Sequence, residues 1–326
     1  MAILGIESTA HTASVGIVGE GARVLALASD MYHPPSGGIH PREAANHHVE
    51  VLPDLVRTAL EKSGCRPNDL EAIAFARGPG LGPCLRAGAT VARVLALTWG
   101  KPLVPVNHCV AHVEIARVLS GFDDPLLLYA SGGNTQVIAY GSGRYRVLGE
   151  TLDVGIGNFL DKLWIALGGQ FPGGPALEAE ALRGARLLPL PYSVHGMDVA
   201  FSGILTQAIA LARGGADRAD LAYSVEATVY SMLTEVTERA LAHRRRDEVV
   251  LGGGVACNGR LRGMVESMVE GRGGRSFAPP KPLCVDNGAM IAWTGGLGLP
   301  FGGAVPIARS EVLPRQRTDQ VDVPWR

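Results

Sequence analysis

The sequence predicts an α/β protein of two lobes, each a mixed sheet flanked by helices, with a central cleft for a ligand. Three observations carry this. Three short strands followed by alternating helices and strands occur twice, first from residue 2 and again from residue 126. A chain of 326 residues with 47% hydrophobic side chains is long and apolar enough for two cores. Its 43 Gly and 21 Pro demand many turns and disfavour a long helical bundle. The two halves share a pattern and no recognisable sequence.

The elements follow in order. Residues 2–6, 13–18 and 23–29 are apolar runs separated by turns, which reads as three antiparallel strands. A Pro/Gly/His loop leads to a helix over 41–62, with Pro41 at its start, apolar residues at helical spacing and Gly64 as its stop. A buried strand at 72–76 precedes the loop Gly78-Pro79-Gly80-Leu81 and a helix near 85–98. Residues 103–106 form a strand, and Asn107 is a good N-cap for a helix over 108–119. Strands at 126–130, 136–140 and 145–148 open the second half. Helices follow near 157–167, 176–183 and 219–244, then a strand at 248–251, a helix at 258–270, a short strand at 276–278 and a helix at 287–295. The expected lobes are 1–124, completed by 296–326, and 125–295. Residues 310–326 are a polar, extended tail expected to lie against the first lobe.

Composition removes several functions. A net charge of -1 excludes a polybasic mode of nucleic-acid binding but not a local basic groove. Five cysteines, with no C-x-x-C pair, argue against a disulfide framework or a zinc ribbon. The start lacks a basic leader segment, and the uncharged stretch 287–308 holds six Gly and two Pro, unsuited to a lipid-exposed helix. The expectation is a cytoplasmic protein without membrane contact.

Three Gly-rich turns stand at comparable places: Glu7 to Thr12, Ser131-Gly132-Gly133-Asn134-Thr135, and Gly252-Gly253-Gly254 running to Asn258. Successive backbone N–H groups in such turns form anion nests, and the third also opens a helix. The plainer alternative is three ordinary turns. His108 and His112, four apart at a helix start, share a face and can share a metal; otherwise they are a capped or core pair. The H-E-x-x-H pattern is absent, because Cys109 stands in place of the Glu. Glu114 lies about 200° around the helix from His112 and cannot replace that base. Asp286, opening the 287–295 helix, is an N-terminal charge or a third ligand; Tyr129, ending a strand beside Ser131, is core or a cleft phenol. Two imidazoles, an acid and a phenol suit Fe or Zn better than Mg or Ca. His11 is placed to face the cleft, while His33, His40, His47 and His48 read as solvated or structural.

Gly5-Ile6-Glu7-Ser8-Thr9-Ala10-His11-Thr12, Gly37-Gly38-Ile39-His40-Pro41, Gly78-Pro79-Gly80-Leu81, Asn107-His108-Cys109-Val110-Ala111-His112, Ser131-Gly132-Gly133-Asn134-Thr135, Phe171-Pro172-Gly173-Gly174-Pro175 and Asp286-Asn287-Gly288-Ala289-Met290 occur in this order. Together they resemble the universal tRNA threonylcarbamoyladenosine synthesis family in its archaeal/eukaryotic form, the catalytic subunit of the KEOPS complex. The resemblance covers essentially the whole chain and implies an actin/Hsp70/sugar-kinase-like (ASKHA) fold. It implies transfer of a threonylcarbamoyl group from threonylcarbamoyl-AMP to N6 of adenosine 37, in tRNAs that read codons beginning with A.

By motif, the resemblance carries metal ligation to His108, His112, Tyr129 and Asp286, with one Fe(2+) or Zn(2+) ion. Adenylate contacts fall at Tyr129, Ala130, Ser131, Gly132, Gly133, Asn134, Asp161, Gly174, Glu178, Gly253, Gly254 and Asn258. Glu7 and His11 are candidates to steer the incoming amine. The implied partners are tRNA, a small protein-kinase-like ATPase subunit, two small accessory subunits and a separate enzyme supplying threonylcarbamoyl-AMP. Competing readings on the same residues are a small-molecule kinase of this fold, a non-catalytic nucleotide-binding scaffold and a metalloprotease, the last disfavoured by Cys109.

Overall fold

The computed structural model describes residues 2–35 and 37–326. Its first sheet is built from β1 (Ile3–Glu7), β2 (Thr12–Val18), β3 (Val24–Met31), β4 (Ala72–Gly78) and β5 (Leu103–Asn107), in the order β3-β2-β1-β4-β5. The three opening strands are antiparallel, and β4 and β5 add in parallel. Helices α1 (Pro41–Ser63) and α2 (Gly82–Trp99) supply the crossovers and bury Leu52, Val56, Ala89 and Ala92 against one face of this sheet. Helix α3 (His108–Ser120) leaves β5 with no intervening loop.

The second sheet repeats the plan with β6 (Leu126–Ala130), β7 (Thr135–Gly141) and β8 (Arg144–Glu150) antiparallel. After these come α4 (Ile156–Ala166), α5 (Gly174–Ala181), the small hairpin β9 (Val194–His195) and β10 (Asp198–Val199), α6 (Ser202–Arg213) and α7 (Arg218–Arg244). Then β11 (Glu248–Gly252), α8 (Gly259–Gly271) and β12 (Arg275–Phe277) complete the order β12-β11-β6-β7-β8. Helices α4 to α8 cover one face of this sheet in a single large core. The chain ends with α9 (Lys281–Cys284), α10 (Gly288–Gly298) and a tail with short helical turns.

Helix α10 lies on the first sheet, against β1, β2 and β4. The contact is backbone to backbone. A methyl group at Gly5 would stand 2.8 Å from Ala292 Cα, and one at Gly16 would stand 2.7 Å from Ala289 Cα. Helix α3 is buried on all sides along His108–Ala116, with His108, His112 and Glu114 enclosed among its apolar side chains. Its Ala111 and Ile115 meet α10 and the first sheet, and its Val110 and Val113 meet the second sheet. The layers therefore run α1/α2, first sheet, α10 with α3, second sheet, α4–α8.

Two expectations need amendment. Helix α6 stands where the sequence pattern places no element. Its start is capped from afar: the Asp153 carboxylate accepts Phe201 N–H at 3.0 Å and Ser202 N–H at 2.8 Å. The tail touches both halves rather than the first alone. Leu313 N–H donates to Arg77 O at 2.8 Å beside β4, and Val323 N–H donates to Gly143 O at 2.8 Å beside β8. Among the described residues no helix is long and apolar enough to cross a membrane.

Candidate active site

The site is assembled where α3 begins. Asn107 caps that helix, its Oδ1 accepting Val110 N–H at 3.1 Å, and the cap places His108 and His112 on one face a turn apart. Their rings meet edge to face with centroids 4.8 Å apart. Tyr129, at the end of β6, brings its hydroxyl to 2.9 Å from His108 Nε2 and its ring to 4.7 Å from that of His112. Gly252 pairs with Tyr129 in the β11–β6 ladder, and a methyl group there would touch His112 Cβ at 3.6 Å. That bare backbone lets the second sheet approach the imidazole.

Asp286 arrives from the other direction. Asn287 caps α10 through Met290 N–H, and the close seating of α10 on Gly5 and Gly16 fixes where the preceding carboxylate sits. Asp286 Oδ1 lies 3.2 Å from His112 Nε2 and 3.4 Å from His108 Nε2. The ligand atoms of His108, His112 and Asp286 all lie within 4.8 Å of one another, so these three residues can hold a metal ion.

Glu7 stands behind His108. Its Oε2 is 2.8 Å from His108 Nδ1, and its Oε1 accepts Thr9 N–H at 2.6 Å. A carboxylate on Nδ1 holds a proton there and fixes the ring so that Nε2 faces Tyr129 and Asp286, as the outer partner of a metal-bound histidine does. Burial pulls the His108 imidazolium down, but Glu7, Tyr129 and Asp286 outweigh it and hold His108 well above its ordinary pKa. Burial lowers His112, with the Asp286 hydrogen bond opposing it and the His108 charge reinforcing it. Burial pushes the Tyr129 phenol up. Burial would raise Asp286 as well, yet the two imidazoles keep it well below the usual carboxylate range. Two enclosed carboxylates, Glu7 and Asp286, thus flank the imidazoles, and that negative charge beside nitrogen donors fits a divalent cation.

The glycine loops lie two residues away. Ser131 and Asn134 close the β6–β7 turn, with Ser131 N–H donating to Asn134 O at 2.9 Å. Gly157 N–H and Asn158 N–H of α4 donate to Ser131 O and Gly132 O, each at 2.9 Å, so the turn is braced from beneath. Gly253, at φ +96°, has room for no side chain: a methyl group would stand 2.7 Å from Ala130 C. Gly133 and Gly254, by contrast, border open space. The two loops therefore press together and present backbone outward.

The remaining expected contacts are engaged with the protein itself. Asp161 Oδ1 accepts Gly173 N–H at 2.7 Å next to Gly174, and burial raises its pKa against those backbone donors. Glu178 Oε1 accepts Gly259 N–H at 2.8 Å. Asn258 caps α8 through Leu261 N–H and donates to Glu226 Oε1 at 2.7 Å. His11 is half-buried, its Nδ1 has no partner among the described residues, and its ring meets Phe171 edge-on at 5.3 Å. Burial lowers its pKa, with Asp286 opposing.

Sequence reasoning missed two buried acids, Glu226 and the tethering role of Glu114. The available signal was an acid at helical spacing inside an apolar face: Glu226 follows Leu221, Ala222 and Val225 of α7.

The family model described as tRNA N6-adenosine threonylcarbamoyltransferase matches residues 23–293. A protein of that name from Thermococcus gammatolerans is 54% identical over 327 residues, covering 100% of both chains. Another, from Thermofilum pendens, is 50% identical over 99% of this chain and 97% of its own. A Methanothermobacter thermautotrophicus protein, named as a probable bifunctional tRNA threonylcarbamoyladenosine biosynthesis protein, is 50% identical over this whole chain, which spans 61% of that relative. Among solved structures, T. kodakarensis HypF superposes with a TM-score of 0.67 at 17% identity, over 93% of this chain and 48% of that one. Component A of the Acidaminococcus fermentans (R)-2-hydroxyglutaryl-CoA dehydratase gives 0.57 at 16% identity, over 90% and 96%. At such identities these two speak to the fold alone, which is the two-sheet ASKHA-like plan expected from the sequence.

Proposed function

The chain belongs to the tRNA N6-adenosine threonylcarbamoyltransferase family, and from that premise we propose that the junction of its two sheets transfers a threonylcarbamoyl group from threonylcarbamoyl-AMP to N6 of adenosine 37 in tRNA. The observation that carries this reading is the convergence of His108, His112, Tyr129 and Asp286 beside the outward-facing backbone of the Gly132–Gly133 and Gly253–Gly254 loops.

His108, His112, Tyr129 and Asp286 would hold Fe(2+) or Zn(2+); when bound, such an ion supplies Lewis acidity toward an oxygen of the threonylcarbamoyl group. Glu7 holds a proton on His108 Nδ1 and so keeps Nε2 facing the site. The backbone N–H groups around Gly132, Gly133 and Gly254 receive the phosphate of the adenylate. Asp161, Glu178 and Asn258 shape the edge of the nucleotide site, and they do so while already bonded to Gly173, Gly259 and Leu261. In the transfer, the N6 amine attacks the carbamoyl carbon, the carbon–oxygen bond to phosphate breaks, and AMP leaves with that electron pair. His11, held neutral by burial, is suited to take the proton that the amine loses. The mixed anhydride is already activated, so a modest base suffices.

We also propose lobes of 1–124 and 125–287, with the chain returning to the first sheet at Gly288, where α10 begins, rather than at 296. A cytoplasmic place and KEOPS-type partners (the kinase-like ATPase and two small accessory subunits) complete the reading. The bifunctional name and greater length of some relatives support a companion activity.

Reconstitution with purified threonylcarbamoyl-AMP, tRNA and partner subunits tests the proposal by nucleoside analysis of adenosine 37. Wild type should modify it and His112→Ala should not. An unmodified adenosine with wild type and all partners present removes the transfer, and full activity in His112→Ala removes the metal ligands.

A further inference from the structure

We infer that residues 316–326 are a brace that sets the roll of α3, and thereby the aim of His108 and His112. The inference rests on the reading of those imidazoles as metal ligands.

The brace holds α3 at its start and at its middle. At the N-terminal end, Asn107 Nδ2 donates to Gln316 Oε1 at 3.3 Å and to Arg317 O at 3.4 Å, while its Oδ1 caps the helix. Seven residues along, Glu114 is wholly buried. Its Oε1 accepts Tyr145 O–H at 2.7 Å and Trp325 Nε1–H at 2.9 Å, and its Oε2 accepts Arg117 Nε–H at 2.9 Å. The brace is itself fixed to the second sheet. Val323 N–H donates to Gly143 O, Thr318 Oγ1 donates to Gln136 Oε1 at 3.3 Å, and Arg326 Nη1 donates to the Tyr145 hydroxyl at 3.0 Å.

The catalytic reading gives Glu114 no task, and its burial needs a cause. A buried carboxylate is costly unless fully bonded, and an apolar side chain would pack as well. What a carboxylate adds is direction. Apolar faces tolerate a helix turning about its axis, whereas two donors from outside the helix, Tyr145 and Trp325, converging on one of its carboxylates do not. Glu114 sits about 200° around α3 from His112, so the tether acts opposite the imidazoles. A roll of about 10° moves an atom about 6 Å from the helix axis by about 1 Å, well beyond the roughly 0.2 Å tolerance of a metal–ligand bond. Trp325 and Glu114 are thus positioning residues.

The full chain carries the test, with Co(2+) as the probe. Trp325→Phe keeps a smaller aromatic ring and removes the N–H, Trp325→Ala removes both, and Glu114→Gln keeps the acceptor for Trp325 and Tyr145. Val265→Ala, in the α8 core remote from α3, controls for lost stability alone. We expect Co(2+) affinity to fall about tenfold in Trp325→Phe and further in Trp325→Ala, with an altered visible spectrum, and Glu114→Gln to stay closer to wild type. Val265→Ala should bind as wild type despite a lowered melting temperature. Without any ion, the imidazole nitrogen shifts of His108 and His112 should move in Trp325→Phe and stay in Val265→Ala. Unmoved shifts in folded Trp325→Phe, or equal loosening in Val265→Ala, overturn the brace. Wild type that binds no Co(2+) overturns the metal reading instead, and the ion-free shifts still decide the brace.

Discussion

Gly5→Ala is the sharpest test of how the acid reaches the imidazoles. The added methyl would stand 2.8 Å from Ala292 Cα and nearer still to Ala292 N and Gly288 O. Carbon atoms in contact keep about 3.5 Å, so α10 must retreat from β1 by at least about 0.7 Å. The atoms in the way are helix backbone, which cannot rotate aside as a flexible side chain would. Overpacking of this kind costs about 1–3 kcal/mol. For a chain of this size we expect the melting temperature to drop by about 2–8 °C. Asp286 lies two residues before the first residue of α10 and moves with it. Its Oδ1 sits 3.2 Å from His112 Nε2, and a displacement of that size takes it out of a shared coordination sphere. Competition titration with a chromogenic chelator should show Co(2+) affinity reduced by about tenfold or more. A Gly5→Ala protein with wild-type melting temperature and wild-type affinity would refute the claim that bare backbone at β1 positions the acid.

Stability should depend on His48. Burial, aided by the charges of His47 and His11 and opposed by an Ala10 backbone bond, lowers its pKa from 6.5 to about 4. The folded state therefore favours the neutral ring. Its contribution is complete above pH 6.5 and is lost as pH falls toward 4, amounting to about 3 kcal/mol. Urea midpoints measured across that window should fall for wild type and fall less for His48→Gln; parallel curves would contradict the assignment. Gly253→Ala forces a methyl against Ala130 at a φ of +96° and should weaken binding of an adenylate analogue about tenfold by calorimetry, with unchanged binding counting against a joint role for the two loops. Asp153→Ala removes the cap of α6 and should cost about 1 kcal/mol, read as faster amide exchange at the start of α6; unaltered exchange would deny the cap its role.

What was legible in the sequence follows the range of the forces involved. Strands β1 to β3, helix α1 and helix α3 announce themselves through apolar periodicity and through caps such as Pro41, Gly64 and Asn107, all local signals. The i, i+4 spacing of His108 and His112 is likewise local, and the structure keeps both rings on one face. Asp286 was visible as a helix-opening acid, but its arrival at His112 depends on Gly5, Gly16 and Gly288 fitting together across nearly the whole chain. Helix α6 escaped because its cap, Asp153, lies 48 residues upstream of Phe201. Glu7 read as a group near the amine; only the fold shows its carboxylate bonded to His108 Nδ1. Glu114 looked like one more helical acid, since Tyr145 and Trp325 lie 31 and 211 residues away.

These distances in sequence have a physical consequence for the site. The proposed ligands come from the start of α3, the end of β6 and the residue before the α10 cap, and none of the three segments can place its side chain without the others. Helix α3 is wedged between α10 and the second sheet, so any motion that separates the sheets also separates Asp286 from Tyr129. A metal ion gripped by both would resist that separation, and its binding energy would add to the cohesion of the whole chain rather than to one lobe. The same wedge explains why the glycine loops sit so close. Tyr129 and Gly252 are ladder partners, and two residues further on each strand the backbone turns outward at Ser131 and Gly254. One pair of neighbouring strands thus ends in the Tyr129 phenol and in two glycine turns, and under the proposed function this would place an activated acyl group and its leaving phosphate side by side without any dedicated linking element.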